Sequence, residues 1–286
     1  MLNDLIDLAK TAGRIARDHF ASGAGAEVRE KGPRDYVSHV DRLIEDTLVR
    51  RILARFPEHR VLGEEGLAEA PPEAHRTLWI IDPIDGTTNF LHGIPGFAIS
   101  IAVCPPAPGG GWEPRWAAVY DPIREELFTA EAGAGLWLNG KRSYTAATTE
   151  FSKALIASAL PFRFPEVMDD CAKVFLDVQR RCDDHRRGGS AALDLAWLAV
   201  GRLDAYYELG IYPWDTAAGE LLVRCGGGLA TDYHGSITDI TGRRSIVAAA
   251  NQTIHAELLA AVAPIRPWLG RQPFAGSAGG HAGPLG

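Results

Sequence analysis

The segment Leu78-Trp79-Ile80-Ile81-Asp82-Pro83-Ile84-Asp85-Gly86-Thr87-Thr88-Asn89-Phe90 sets the hardest condition on this chain. An apolar strand must cross the interior and release carboxylates where it ends. Pro83 holds Asp82 extended and favours a turn after it, in which Asp85 follows three residues on. Two carboxylates and an intervening carbonyl can then converge on one point, a donor set suited to a hard cation such as Mg2+. Gly86 frees the backbone to approach a ligand, and Thr87-Thr88 opens a short helix. The amides of Gly86 and Thr87 are there placed to meet an anion. Asp-Pro or Asp-Gly alone would mark no more than a turn. The stacking of two carboxylates, a proline, a glycine and two hydroxyls at one strand end is what points to a metal site.

Other acidic positions admit two readings each. Gly63-Glu64-Glu65-Gly66 follows the short apolar step Val61-Leu62 and is either a solvated acidic turn or a ligand source. Trp214-Asp215-Thr216 opens a helix, so Asp215 is either an N-cap or a ligand. Ser38-His39-Val40-Asp41 fits a short capping box, and Asp41 either caps or orients a hydroxyl. If these carboxylates gather, their repulsion raises their pKa values unless a cation neutralises them.

Around this motif the chain reads as alternating elements. Leu5, Ile6, Ala9, Ala12, Ile15, Ala16 and Phe20 give helical spacing over 2–20, ended by Gly23-Ala24-Gly25. Residues 30–35 read as a mobile polar loop, and Ser38 starts a second helix that Pro57 stops. Strands are expected at 78–82, 97–103, 116–120 and 126–130 in a sequential antiparallel sheet. A second, α/β half has strands near 154–159, 204–209, 229–232 and 245–249. Its helices fall near 166–181, 190–201 and 215–225, with a last one from Thr253. The expected division is 1–145, 146–270 and a disordered Gly- and Ala-rich tail over 271–286.

The formal charge of −7 gives no general attraction to nucleic acid or anionic membrane, so a phosphate substrate would need a local cation. Four cysteines with no Cys-x-x-Cys pair read as reduced, mostly buried thiols. No signal-peptide pattern and no apolar run of roughly 20 residues is present, so a cytoplasmic protein is expected. Histidines are scattered and read as surface or capping residues.

Together these motifs resemble the inositol monophosphatase family. The resemblance runs from about residue 5 to 265 and rests on Glu64-Glu65, on Asp82 to Phe90 and on Trp214-Asp215. Lys31 to Asp35, Gly189 to Leu195 and Tyr206 to Gly210 also match. It implies a layered α/β/α/β/α sandwich shared with fructose-1,6-bisphosphatases, and a homodimer. It implies Glu64, Asp82, the Ile84 carbonyl, Asp85 and Asp215 as Mg2+ ligands, and Gly86 and Thr87 as phosphate binders. Asp41 and Thr87 would orient the attacking water with Glu64. Asp85, Gly189, Ser190, Ala191, Glu208 and Asp215 would face substrate, and Lys31 and Asp35 would lie on a closing loop.

The implied reaction is hydrolysis of a small phosphate monoester by water, without a phosphoenzyme, and is inhibited by Li+. The first substrate expected is myo-inositol 1-phosphate. Histidinol phosphate, fructose 1,6-bisphosphate and 3′-phosphoadenosine nucleotides are the alternatives. A reading from another class is a protein that binds transcription or ribosomal components, with Arg180-Arg181 and Arg186-Arg187 as candidate contacts.

Overall fold

The computed structural model describes residues 1–21, 28–32, 35–66, 75–161, 163–237 and 240–271, without the side chains of 28–38. The expected chain break at 23–25 and the tail from 272 onward lie outside the described residues.

Helix α1 (Leu2–Ala21) is followed by strands β1 (Val28–Gly32) and β2 (Asp35–Ser38) and by helix α2 (His39–Arg55). Strands β3 (Arg60–Gly63) and β4 (Leu78–Asp85) lead to the short helix α3 (Thr87–Leu91). Then come β5 (Ala98–Cys104), β6 (Trp116–Asp121), β7 (Glu126–Glu131), β8 (Gly135–Leu138) and β9 (Lys141–Arg142). The remaining chain runs β10 (Leu155–Ser158), α4 (Met168–Arg181), β11 (Asp184–Arg186), α5 (Ala191–Ala199) and β12 (Ala205–Ile211). It closes with α6 (Pro213–Gly226), β13 (Leu229–Thr231), β14 (Arg244–Ala249), α7 (Gln252–Ala261) and the short α8 (Arg266–Leu269).

Strands β3 to β9 form one sheet in sequence order, antiparallel except where β3 runs parallel to β4. The other sheet has the order β11-β10-β12-β14-β13, with β10 parallel to both its neighbours. The polar stretch read as a loop at 30–35 is strand where it is described: residues 30–32 belong to β1 and Asp35 to β2, which pair antiparallel, while 33–34 lie outside the described residues. Backbone pairing there does not need apolar alternation, which is why hydropathy patterning misses it.

Side-chain alternation builds five layers. Along β4, Leu78 and Ile80 point to an interior cluster with Leu195, Leu221 and Ile246, while Trp79 and Ile81 point the other way, to α1 and α2. Along β5 the inner face carries Ala98, Ala102 and Cys104 and the outer face Ile99, Ile101 and Val103. Small inner residues let α6 lie close to the sheet. On the second sheet Tyr206 and Ala248 face inward, whereas Tyr207, Leu209 and Val247 face α4 and α7. Helices α5 and α6 are thus the central layer, covered on both sides. Strands buried on both faces read as continuous apolar runs, as β4 does. Each fully buried Ile or Trp contributes roughly 1.5–3 kcal/mol. No described helix is long and apolar enough to cross a membrane.

Candidate active site

The centre lies where the end of β4 meets the N-termini of α5 and α6. Asp85 is not in a turn: β4 continues to it, with the pairing to β5 slipping between Asp82 and Asp85. Such a bulge re-aims side chains, so Asp82 and Asp85 converge without a chain reversal. Asp215 joins them from the first turn of α6. It is not the N-cap but lies three residues after Tyr212, whose N–H donates to Asp215 Oδ2 at 2.9 Å. One ligand oxygen from each of Asp82, Asp85 and Asp215 lies within 4.8 Å of the other two.

The oxygens are unequally occupied. Asp82 Oδ1 accepts from Ile84 N at 3.0 Å, but Asp82 Oδ2 is buried with no hydrogen-bond partner. A buried carboxylate oxygen without a donor is costly unless a cation meets it. Asp85 Oδ2 accepts from Ser190 Oγ at 2.7 Å and from Ala192 N at 2.6 Å. Those two bonds hold the carboxylate while leaving its other oxygen for a ligand. A set made of carboxylates and the Ile84 carbonyl suits Mg2+ rather than a softer metal, so the residues present fit that cation.

Electrostatics agree with the geometry. Burial, then repulsion from Glu64, Asp85, Asp215 and Asp41, raises the Asp82 carboxyl well above the usual range. Burial raises Asp85 to about 6, opposed by the bonds from Ser190 and Ala192. Asp215 is raised by burial and by Asp85, Glu64 and Glu208. Glu64, half-buried after β3, therefore acts on the same volume, although it is outside the tight triad.

Gly86 has φ 98°, and an added Cβ would stand 3.0 Å from Gly96 O and 3.2 Å from Gly189 O. Only glycine fits that turn. Thr87 begins α3, and its hydroxyl lies 3.2 Å from Asp41 Oδ1 and 3.1 Å from Ile84 O. Asp41 is fully buried on α2. On the far side, Ser190 caps α5 by accepting from Leu193 N, and Ala191 is the first residue of that helix. Glu208 on β12 accepts from the Tyr206 hydroxyl, and burial raises it to about 7. Lys31 lies on β1 and Asp35 on β2; their side chains lie outside the described residues.

Sequence reasoning missed several contributors. Glu45, one turn after Asp41 and fully buried, accepts from Glu65 N at 2.8 Å and so fixes the Glu64-Glu65 turn. An acid four residues after Asp41, within the Val40-Ile44-Leu48 stripe, was the available signal. Asn89 donates to Gly96 O at 2.5 Å and to Gly188 O at 2.9 Å, tying α3 to the segment before α5. Tyr212 and Trp214 stack at 4.7 Å beside Asp215, an aromatic pair that no sequence motif announced. The histidines are not all surface residues. His59 accepts from Trp79 Nε1 at 2.9 Å, and buried His255 bonds Thr231. All four cysteines are free; Cys104 and Cys171 are buried and Cys182 and Cys225 half-buried.

Fold and site together define a layered α/β/α/β/α protein with a carboxylate-lined cation centre, the architecture of a metal-dependent phosphatase. The chain belongs to the inositol monophosphatase family, whose sequence profile matches residues 1–266. The Nus factor SuhB of Vibrio cholerae is 40% identical over 259 residues, covering 90% of this chain and 94% of that protein. That of Pseudomonas aeruginosa is 39% identical over 272 residues, covering 93% and 97%. Among solved structures, the extragenic suppressor protein suhB from Bartonella henselae matches with TM-score 0.82 and 35% identity, covering 91% and 97%. The Thermotoga maritima IMPase matches with TM-score 0.80 and 30% identity, covering 93% and 97%.

Proposed function

We propose that this chain is a Mg2+-dependent phosphatase that hydrolyses myo-inositol 1-phosphate or a closely similar polyol phosphate. The observation that carries this reading is the buried, partnerless Asp82 Oδ2 inside a triad of carboxylates. Asp82, Asp85, Asp215, Glu64 and the Ile84 carbonyl would hold the cation. Mg2+ bound there would supply Lewis acidity, acidifying water and neutralising charge on phosphate and leaving group. The amides of Gly86 and Thr87 take the phosphate at the start of α3. The Thr87 hydroxyl, against Asp41, orients water with Glu64 for in-line attack on phosphorus. Glu208, Asp85 and Gly189 to Ala191 bind the hydroxyls of the departing alcohol, and Lys31 and Asp35 lie on the segment that closes the site. Among the described residues the cluster is made of carboxylates, without cysteine or histidine, which supports water rather than a side-chain nucleophile.

A relative of 26% identity and TM-score 0.76, whose solved structure is described as inositol monophosphate-bound SaIMPase-II, supports the polyol substrate. The Tyr212–Trp214 stack keeps a nucleotide in the comparison. The protein is further proposed to be a cytoplasmic homodimer inhibited by Li+. Turnover of myo-inositol 1-phosphate, histidinol phosphate, fructose 1,6-bisphosphate and a 3′-phosphoadenosine nucleotide, with Mg2+ and with EDTA, tests the reading. The inositol ester should give the highest kcat/KM. Equal turnover in EDTA would refute the metal mechanism.

The relatives named Nus factor SuhB favour a second reading, a transcription-associated binding role that does not require catalysis. Arg186 bonds Asp184, and Arg181 bonds Asp177 and Glu257, so these cations are engaged within the chain. Pull-down with the Asp85→Asn variant separates binding from hydrolysis.

A further inference from the structure

Asp194 has no part in the chemistry above, yet it is buried where a carboxylate is costly. It lies in the first turn of α5, 3% exposed. Repulsion from Asp85 and Glu208 adds to the burial cost. Against that cost, the carboxylate packs directly against the Gly188 backbone. The approach is close: a Cβ built on Gly188 would stand 2.5 Å from Asp194 Oδ1.

The opposite side of the same stretch faces the phosphate turn. Gly188 O accepts from Asn89 Nδ2 at 2.9 Å. A Cβ on Gly86 would lie 3.2 Å from Gly189 O, so these two backbones touch. Residues 188–189 are therefore a thin strip with the Gly86–Asn89 turn on one side and Asp194 behind it. Ser190 and Ala192, which hold Asp85, are anchored separately by the buried packing of Ala192, Leu193 and Leu195 in the central layer.

We propose that Asp194 is a positioning residue for the alcohol side of the site. By backing Gly188 it pins Gly188 and Gly189 across Asn89 and Gly86, and so sets the wall against which a polyol leaving group fits. The proposal rests on the phosphatase reading and deepens it.

Three variants of the full chain test it: Asp194→Ala, Asp194→Asn and Gly188→Ala. Asp194→Ala should raise KM for myo-inositol 1-phosphate about tenfold or more, because removing the backing of Gly188 displaces that wall. The Mg2+ activation midpoint and kcat on p-nitrophenyl phosphate, which lacks polyol hydroxyls, should stay within about twofold. Asp194→Asn keeps the shape of the side chain behind Gly188 and should restore most of KM. Gly188→Ala, which presses a methyl group on the carboxylate, should reproduce the KM defect even if Asp194→Ala does not fold. Equal losses on both esters, no change on either, or no rescue by asparagine would overturn the proposal. Amide hydrogen exchange at Gly188 gives a readout independent of turnover: it should accelerate in Asp194→Ala and not in Asp194→Asn. If the unaltered protein hydrolyses neither ester, the phosphatase reading fails. Gly188 exchange then decides the positioning role, and unchanged protection would refute it.

Discussion

Ser190 Oγ donates to Asp85 Oδ2 at 2.7 Å across 105 residues of sequence. The bond joins the end of β4 in one sheet to the cap of a helix in the central layer. With Ala192 N on the same oxygen, it fixes one face of the Asp85 carboxylate. The aim of a proposed metal ligand thus depends on the docking of a distant helix.

Asp85→Asn should lower kcat/KM by at least about 100-fold, because the amide keeps the shape but loses the anionic ligand. The metal-free variant should melt at the same temperature as the unaltered protein or higher, since repulsion with Asp215 is relieved. Near-normal steady-state turnover would refute the assignment.

Cation binding should appear in stability as well as in rate. Mg2+ at about 100 times its Kd would add about 2.7 kcal/mol to the folded state. For a chain of this size that corresponds to a rise of roughly 4–5 °C in Tm. Thermal scans with EDTA and with Mg2+ measure it, and Asp82→Asn should lose most of the difference. A Tm indifferent to Mg2+ in the unaltered protein would count against a cation at this cluster.

In the metal-free protein, Asp194 and Glu208 titrate near 8 and 7, against reference values of 3.8 and 4.5; burial is the first cause for both. The folded state then binds more protons than the unfolded state between roughly pH 4 and 8. Their contribution is fully present below the lower values and is lost as pH rises through 7 and 8. Urea midpoints in EDTA at pH 6 and pH 8.5 should fall with pH. The double variant Asp194→Asn/Glu208→Gln should fall less, and an unaltered protein that gains stability over this interval would contradict the assignment.

Glu45→Ala should raise the Mg2+ activation midpoint about 10- to 100-fold, the range seen when a residue that orients a ligand is removed. The cause is local: Glu65 N loses its acceptor, and the turn carrying Glu64 is no longer fixed. A Mg2+ titration of initial rate reports the shift, and an unchanged midpoint would leave Glu45 with a purely packing role.

Much of the element order was legible because apolar runs and caps are local signals. The helices at 2–21 and 39–55 and the strands at 78–82 and 98–104 follow from spacing, whereas the continuation of β4 from 82 to Asp85 does not. The hairpin of β1 with β2 and the edge strand β11 were not legible, since a polar strand is recognised only by its partner. Within the site, Asp82 and Asp85 announced themselves through one short string. Glu45 and Asn89 each act through a backbone group far along the chain, so no short window of sequence contains both members of the pair; Asp194 and Gly188 share one window, but no local pattern announces their contact.

The sequence by itself determined that an apolar strand would end in two carboxylates, because local hydropathy and the constraint of Pro83 act within a few residues. It also determined the family, through motifs kept in order along the chain. Tertiary structure alone decided that Asp82, Asp85 and Asp215 share one volume, that Asp82 Oδ2 is left without a donor, and that Gly188 rests on Asp194. Those relations arise where two sheets close on a common helix layer, and that closure is set by long-range packing of side chains whose local patterns do not name their partners.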